Sequence, residues 1–122
     1  MVATQTFGPG ARLHARAEFL DVQNNGRRVA GRYFVMLAKP NRRDRDRLGI
    51  VASRKVGGAV ARNRAKRRLR EVFRRMAPAA AAPGAGAPLD IVVIARPDIV
   101  NAPFPVLTEN FLAALRSLRG AR

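Results

Sequence analysis

In the first third of the chain, the spacing of apolar and polar residues predicts a short helix followed by two strands. The stretch RLHARAEFLDVQNNG suits an amphipathic helix, and Asn24-Asn25-Gly26 is a strong stop signal. Its apolar positions are Leu13, Ala17, Phe19, Leu20 and Val22. RRVAGRYFVMLAKP then predicts a short strand, a kink at Gly31, and an almost continuously apolar strand from Tyr33 to Ala38. Because the apolarity is continuous, this strand is expected to be buried on both sheet faces, or nearly so.

The rest of the chain predicts two more strands and two more helices around a low-complexity segment. RLGIVASR and LDIVVIARP are apolar strands, and Gly57-Gly58 permits a sharp turn after the first. A helix is expected from about residue 59 to residue 76, and Pro78 should end it. Residues 77–88 are rich in Ala, Pro and Gly and are expected to form a flexible loop within the domain. The last helix spaces five apolar residues three or four apart: Phe104, Leu107, Phe111, Leu115 and Leu118.

The predicted element order is therefore α-β-β-β-α-β-α, an α+β sandwich of helices on one sheet. With 122 residues, the chain is long enough for one domain with one core and too short for two ordinary domains. Residues 1–11 contain Gly8-Pro9-Gly10 and are expected to be a flexible lead-in to a domain of residues 12–119.

The helix predicted after Gly57-Gly58 has two distinct faces. Its apolar stripe consists of Ala61, Ala65, Leu69, Val72, Phe73 and Met76. Opposite that stripe lie Asn63, Arg67, Arg70 and Arg74, and they are flanked by Arg62, Arg64, Lys66, Arg68 and Arg75. The helix is thus expected to dock on the sheet and to point a row of guanidinium groups outward.

Other interpretations of this basic helix are weaker. A solvated surface normally mixes charges of both signs, and here Glu71 is the one acid. A leucine-zipper basic region needs several heptads of coiled coil directly downstream, and Pro78 with the Ala/Pro/Gly run interrupts them. A membrane-surface helix stays possible, but the apolar stripe matches the sheet that the chain must cover. Asn63 has no packing purpose on its face, so its amide is free to bind a ligand.

The excess of positive charge favours a negatively charged binding partner. The chain has 24 Lys+Arg against 8 Asp+Glu, a formal net charge of +16, which a polyanion such as nucleic acid would neutralise. With no cysteine and one histidine, His14, no thiolate zinc site and no pair of histidines for acid–base catalysis is available. No two acids form a convincing metal pair. The start lacks the apolar run of a signal peptide, so the cytoplasm is the expected compartment and no membrane partner is expected.

The motif R-K-V-G-G-A-V-x-R-N-R-x-K-R-x-x-R-E, residues 54–71, resembles the signature of the bacterial ribonuclease P protein subunit. The resemblance extends over roughly residues 12–118. It implies a fold similar to the second domain of ribosomal protein S5, with a β-α-β crossover of the rare left hand. By position it implies an RNA-binding set of Arg54, Lys55, Arg62, Asn63, Arg64, Lys66, Arg67, Arg70 and Arg74.

The resemblance also implies the biochemistry. A large RNA subunit catalyses Mg²⁺-dependent removal of the 5′ leader from precursor tRNA, so the protein supplies no catalytic residue and no metal ligand of its own. The protein, expected to be a monomer when free, would bind that RNA subunit and hold the leader in a cleft formed by the sheet and the first helix. Phe19 and Tyr33 are the candidate cleft residues. Gln23 and Leu37 stand where the family often has aromatic residues, so the platform for base stacking is thinner here.

Two other functions compete with this one. A structural ribosomal protein of similar fold would have the same charge and size, and only the motif separates it from a ribonuclease P subunit. A free-standing nuclease would need clustered carboxylates or histidines, which the sequence lacks.

Overall fold

A computed structural model describes residues 12–13, 15–41, 43–80 and 88–120. The predicted α+β order is confirmed, with one added 3₁₀ helix before the last α-helix. The elements are α1 (Arg16–Asn25), β1 (Arg27–Ala30), β2 (Phe34–Pro40), β3 (Arg47–Val51), α2 (Ala59–Ala80), β4 (Leu89–Ala95), the 3₁₀ helix (Pro97–Asn101) and α3 (Phe104–Gly120). No described helix is long and apolar enough to cross a membrane.

The four strands form one sheet in the order β1-β2-β4-β3. β2 is antiparallel to both β1 and β4, whereas β3 and β4 are parallel neighbours. Since α2 connects these two parallel strands, the expected β-α-β crossover is present. Its left hand stays a prediction from the family resemblance.

Helices cover both faces of the sheet. α2 and α3 pack on one face over a large apolar cluster that includes Met36 of β2 and Ile91 of β4. α1 packs on the other face over a smaller cluster that includes Leu37 and Val92. Alternate residues of β2 and β4 thus enter different clusters, which explains why these strands are continuously apolar.

The predicted apolar stripe of α2 is confirmed, but the predicted end of the helix is wrong. Ala65, Leu69 and Val72 are fully buried. The helix continues past residue 76 and through Pro78 to Ala80. Pro78 removes one backbone hydrogen bond of the last turns without ending the helix, and the flanking alanines are strong helix formers. The rest of the predicted loop, 81–87, and the predicted lead-in, 1–11, lie outside the described residues.

The first helix is shorter and less amphipathic than its sequence indicated. Leu13 precedes it, and the Leu13 amide donates to the Leu48 carbonyl of β3 at 3.1 Å. Val22 is the fully buried residue of α1, whereas Leu20 is 40% exposed. The stop signal is confirmed, because Gly26 caps the helix and its amide donates to the Val22 carbonyl. Gly26 leads directly into β1.

Candidate nucleic-acid interface

The turn between β3 and α2 fixes where the basic helix starts. Gly57 has a φ of 142°, and a β-carbon there would lie 2.8 Å from the Ala61 β-carbon, so only glycine suits this position. The first helical bond runs from the Arg62 amide to the Gly58 carbonyl at 2.9 Å. Val56 is buried and anchors the turn. Exposed basic side chains therefore begin immediately before the helix and continue along it.

The structure brings the predicted RNA-binding set onto one surface made of this turn and the outer face of α2. Arg54, Lys55, Asn63, Arg64 and Arg67 are exposed, and Arg62, Lys66, Arg70 and Arg74 are partly buried. Six of the basic residues in this set have side chains without an ion pair or hydrogen bond to the described residues. We call these six the basic row: Arg54, Lys55, Arg62, Lys66, Arg67 and Arg70.

One flank of α2 is used to dock the helix on the rest of the protein. Arg64 Nε donates to the Val100 carbonyl at 3.1 Å, and Arg68 Nη2 donates to the Ala102 carbonyl. Burial, together with the nearby charge of Arg64, lowers the pKa of Arg68. Arg64 was predicted to face RNA. Its side chain is exposed, and one of its nitrogens is used in the hydrogen bond to the 3₁₀ helix.

Arg74 is also engaged within the protein. Glu71 accepts two hydrogen bonds from Arg74, at 3.0 and 2.6 Å, and a third from Arg75 Nε at 2.7 Å. Arg75 in turn stacks over the Phe104 ring, with its guanidinium carbon 4.8 Å from the ring centre. The hydrogen bonds from Arg74 and then Arg75 lower the pKa of Glu71 from 4.5 to about 2.

The shifted pKa of Glu71 predicts a specific response to acid. The folded protein keeps this carboxylate charged at a pH where the unfolded chain protonates it. The Glu71 ion pairs therefore stabilise the fold above pH 4.5, and that contribution is lost as the pH falls to about 2. We expect the urea midpoint of wild type to exceed that of Glu71→Gln at pH 7 and the two to converge near pH 2.

Glu109→Gln is the matched control, because Glu109 is an exposed glutamate of α3. It should follow wild type over the same pH range. A difference between wild type and Glu71→Gln that is the same at pH 7 and pH 2 would contradict the assigned ion pairs.

The second candidate site is the face of the sheet that α1 only partly covers. Phe19 is partly exposed and, like the partly exposed Val51 and Ile94, packs against the smaller buried cluster. Tyr33, the other predicted cleft residue, is buried in the large cluster beneath α2 and α3. The structure therefore does not bring Phe19 and Tyr33 together. The cleft floor is aliphatic, with Phe19 at its α1 side.

Two arginines with a defined place in the structure, Arg28 and Arg47, were not predicted from the sequence. Arg28 of β1 pairs with Leu37, whose side chain lies on the α1 face. Paired residues of antiparallel strands project to the same face, so the exposed Arg28 lies at the rim of the cleft. Strand alternation could have identified it once the register was known. Arg47 of β3 is buried beside Asp90, and nothing in the sequence pairs these two residues.

No protein-bound metal is supported by the described residues. They contain no group of three or more His, Asp or Glu side chains that could hold a metal ion. The best-buried carboxylates are paired with arginines instead. Asp90 binds Arg47 at 2.7 Å and Asp46 binds Arg119 at 2.6 Å. The residues present therefore do not fit a Mg²⁺ site.

Comparisons with known proteins agree on one family. The family model described as Ribonuclease P matches residues 7–119. The ribonuclease P protein component of Paramagnetospirillum magneticum is 40% identical over 110 residues, which span 86% of this chain and 80% of that protein. The corresponding protein of Ruegeria pomeroyi is 40% identical over 113 residues, spanning 90% of this chain and 87% of that one.

Solved structures give the same result. The fold is similar to the RNase P protein of Thermotoga maritima, with a TM-score of 0.72 and 38% identity, covering 86% of this chain and 94% of that one. It is also similar to the RNase P protein of Staphylococcus aureus, with a TM-score of 0.72 and 32% identity, covering 87% and 93%.

Proposed function

Because this chain belongs to the family of ribonuclease P protein components, we propose that it binds both the catalytic RNA subunit and the 5′ leader of precursor tRNA. The observation that carries this proposal is the basic row, which lies along α2 and the turn before it, on the side of α2 opposite its buried apolar stripe. A rigid helix holds guanidinium groups at fixed spacing, and such groups grip phosphates in a fork. We assign the basic row and Asn63 to the RNA subunit.

The cleft is the proposed site of the leader. Its aliphatic floor and the partly exposed Phe19 ring suit unpaired bases, which stack on aromatic rings with little preference for sequence. The exposed Arg28 lies on the edge strand β1 beside this floor. A single strand whose bases stack on Phe19 could therefore have a phosphate held by Arg28 at the rim.

We propose that cleavage chemistry belongs to the RNA subunit and that Mg²⁺ is held by RNA and substrate. Hydrolysis of a phosphodiester by protein alone needs clustered carboxylates or an acid–base pair. The best-buried carboxylates of the described residues form ion pairs with Arg47 and Arg119. The protein therefore contributes binding and orientation. Its cytoplasmic location and its monomeric state when free stay predictions.

Reconstitution tests this function directly. The purified protein alone should cleave no precursor tRNA. Added to its RNA subunit, it should lower the Mg²⁺ concentration needed for cleavage and should tighten binding of precursor tRNA relative to mature tRNA. Both quantities follow from single-turnover cleavage and from binding titrations at fixed salt.

The control for charge alone is Arg116→Ala, which removes an exposed arginine of α3 outside the proposed interface. It should behave as wild type, whereas Arg67→Ala should weaken binding of the RNA subunit. Cleavage by protein rigorously freed of RNA would contradict the proposal. So would equal binding of precursor and mature tRNA in the presence of the protein.

A further inference from the structure

We propose that Gly49 is a positioning residue that seats the Phe19 ring against the sheet and thereby keeps the leader cleft open. This inference rests on the proposed function of the cleft. A β-carbon at Gly49 would lie 2.6 Å from both Cε2 and Cζ of Phe19, and 3.1 Å from Leu13 Cδ1. The outer edge of the ring thus occupies the space that any side chain at position 49 would fill.

Space, and not backbone conformation, is the reason for glycine at this position. Gly49 lies within β3 and pairs with Val92 of β4, and among the described glycines the positive φ belongs to Gly57. Glycine inside a strand weakens it and marks a place where another group approaches closely. At Gly49 that group is the ring of Phe19.

The position of the Phe19 ring against Gly49 determines how much of the cleft floor is accessible. An alanine at position 49 could be accommodated only by moving the Phe19 ring, because the clashing atoms are at the end of its side chain. The same apolar cluster contains Val51 and Ile94, so a ring displaced from the sheet would move over the open floor. The basic row lies on α2, which covers the opposite face, and on the turn before α2, and it should not be affected.

Phe19 provides the aromatic ring on which a leader base could stack in this cleft. Phe19 is the one aromatic residue of the smaller cluster among the described residues. Gln23 and Leu37, which stand at the other places where an aromatic was expected, offer no ring. Stacking of a leader base in the cleft therefore depends on where Phe19 lies.

A double-mutant cycle tests the inference with Gly49→Ala, Phe19→Ala and the variant carrying both changes. Each protein is reconstituted with the RNA subunit. Three quantities are then measured: the melting temperature of the protein, its affinity for the RNA subunit, and the affinity ratio of precursor to mature tRNA. Gly49→Ala should reduce that ratio by roughly tenfold, similar to the loss of one base–aromatic stack in Phe19→Ala. The affinity for the RNA subunit should stay within about twofold of wild type.

The doubly substituted protein shows whether Gly49 acts through the Phe19 ring or whether the two residues contribute independently. It should show the same affinity ratio as Phe19→Ala alone, and it should melt higher than Gly49→Ala, because no ring remains to be displaced. An affinity ratio that equals the product of the two single losses would overturn the inference. So would a wild-type ratio in Gly49→Ala, or a doubly substituted protein that melts lower than Gly49→Ala.

The affinity ratio of the wild-type complex tells whether a failure concerns the role of Gly49 or the proposed leader-binding function on which that role rests. A wild-type complex that binds precursor and mature tRNA equally would overturn the proposed leader function, and the role of Gly49 with it. A wild-type complex that prefers the precursor, beside a Gly49→Ala complex with the same preference, would overturn the role of Gly49 alone.

Discussion

Replacement of Arg47 by methionine is expected to lower the free energy of unfolding by about 3 kcal/mol, the largest effect on stability that we predict for a single polar residue. The Arg47 side chain is 10% exposed. Its Nε and Nη2 donate to the two oxygens of Asp90 at 2.8 and 2.7 Å, and its Nη1 donates to Glu18 at 2.9 Å. Methionine fills similar space, but it leaves Asp90 without its cation and removes the Arg47 hydrogen bond from Glu18.

The magnitude follows from what remains after the substitution. Asp90 is 14% exposed and keeps one hydrogen bond, from Asn41 Nδ2 at 2.9 Å. Glu18 is 28% exposed and can recover water, so the expected loss lies at the lower end of the range for a broken buried pair. For a domain of this size the melting temperature should fall by about 10–15 °C.

Two further variants make the Arg47 prediction specific. Arg45→Met removes the Arg45–Asp44 pair, whose nitrogen and oxygen are 3.7 Å apart and whose side chains are 58% and 87% exposed. It should change stability by less than about 0.5 kcal/mol. Adding Asp90→Leu to Arg47→Met should recover part of the loss, because an apolar pair leaves no buried charge. An Arg47→Met protein that melts within about 2 °C of wild type would contradict the prediction.

The second large effect is on binding of the RNA subunit, which should weaken steeply as salt is added. Six basic side chains of the predicted RNA-binding set have no partner among the described residues, and they form the basic row. If each neutralises one phosphate, log K should fall with log salt at a slope of about −4 to −5. Between 50 and 200 mM salt the affinity should therefore fall roughly 250- to 1,000-fold.

Single substitutions measure how much each residue contributes to the slope of log K against log salt. Arg67→Ala should make the slope shallower by about 0.7–0.9, because one phosphate contact is lost. Arg64→Ala and Arg74→Ala should change it less, since both side chains already have partners in Val100 and Glu71. Arg116→Ala should leave the slope unchanged. A wild-type slope near zero would mean that the basic row is only a solvated surface.

The sequence predicted those features that depend on local periodicity. The apolar stripe of α2 follows from residues three and four apart, and the strands follow from uninterrupted apolar runs. The outward direction of Arg67 and Asn63 follows from the same helical period. The stop at Gly26 was predictable because the signal lies in three adjacent residues.

Features that depend on distant partners were not predictable from periodicity. Arg64 and Arg68 lie in the same basic run as Arg67, but they donate to carbonyls that are 36 and 34 residues away, and backbone carbonyls leave no mark in a sequence. Arg47 and Asp90 meet because β3 and β4 are in a particular register. The family resemblance assigned Tyr33 to the cleft, yet this residue precedes β2 and is buried in the large cluster on the other side of the sheet.

The strand order has a consequence for how the chain matures on the ribosome. β4 is synthesised last of the four strands but lies between β2 and β3, so the β1–β2 hairpin and β3 cannot be joined until it emerges. Until then the edges of β2 and β3 are open to wrong pairing. The large apolar cluster also lacks its contributions from β4 and α3. A nascent chain that stops before Leu89 should therefore stay unfolded, with its arginines on no fixed surface. Specific affinity for RNA should arise in one late step, when the central strand inserts.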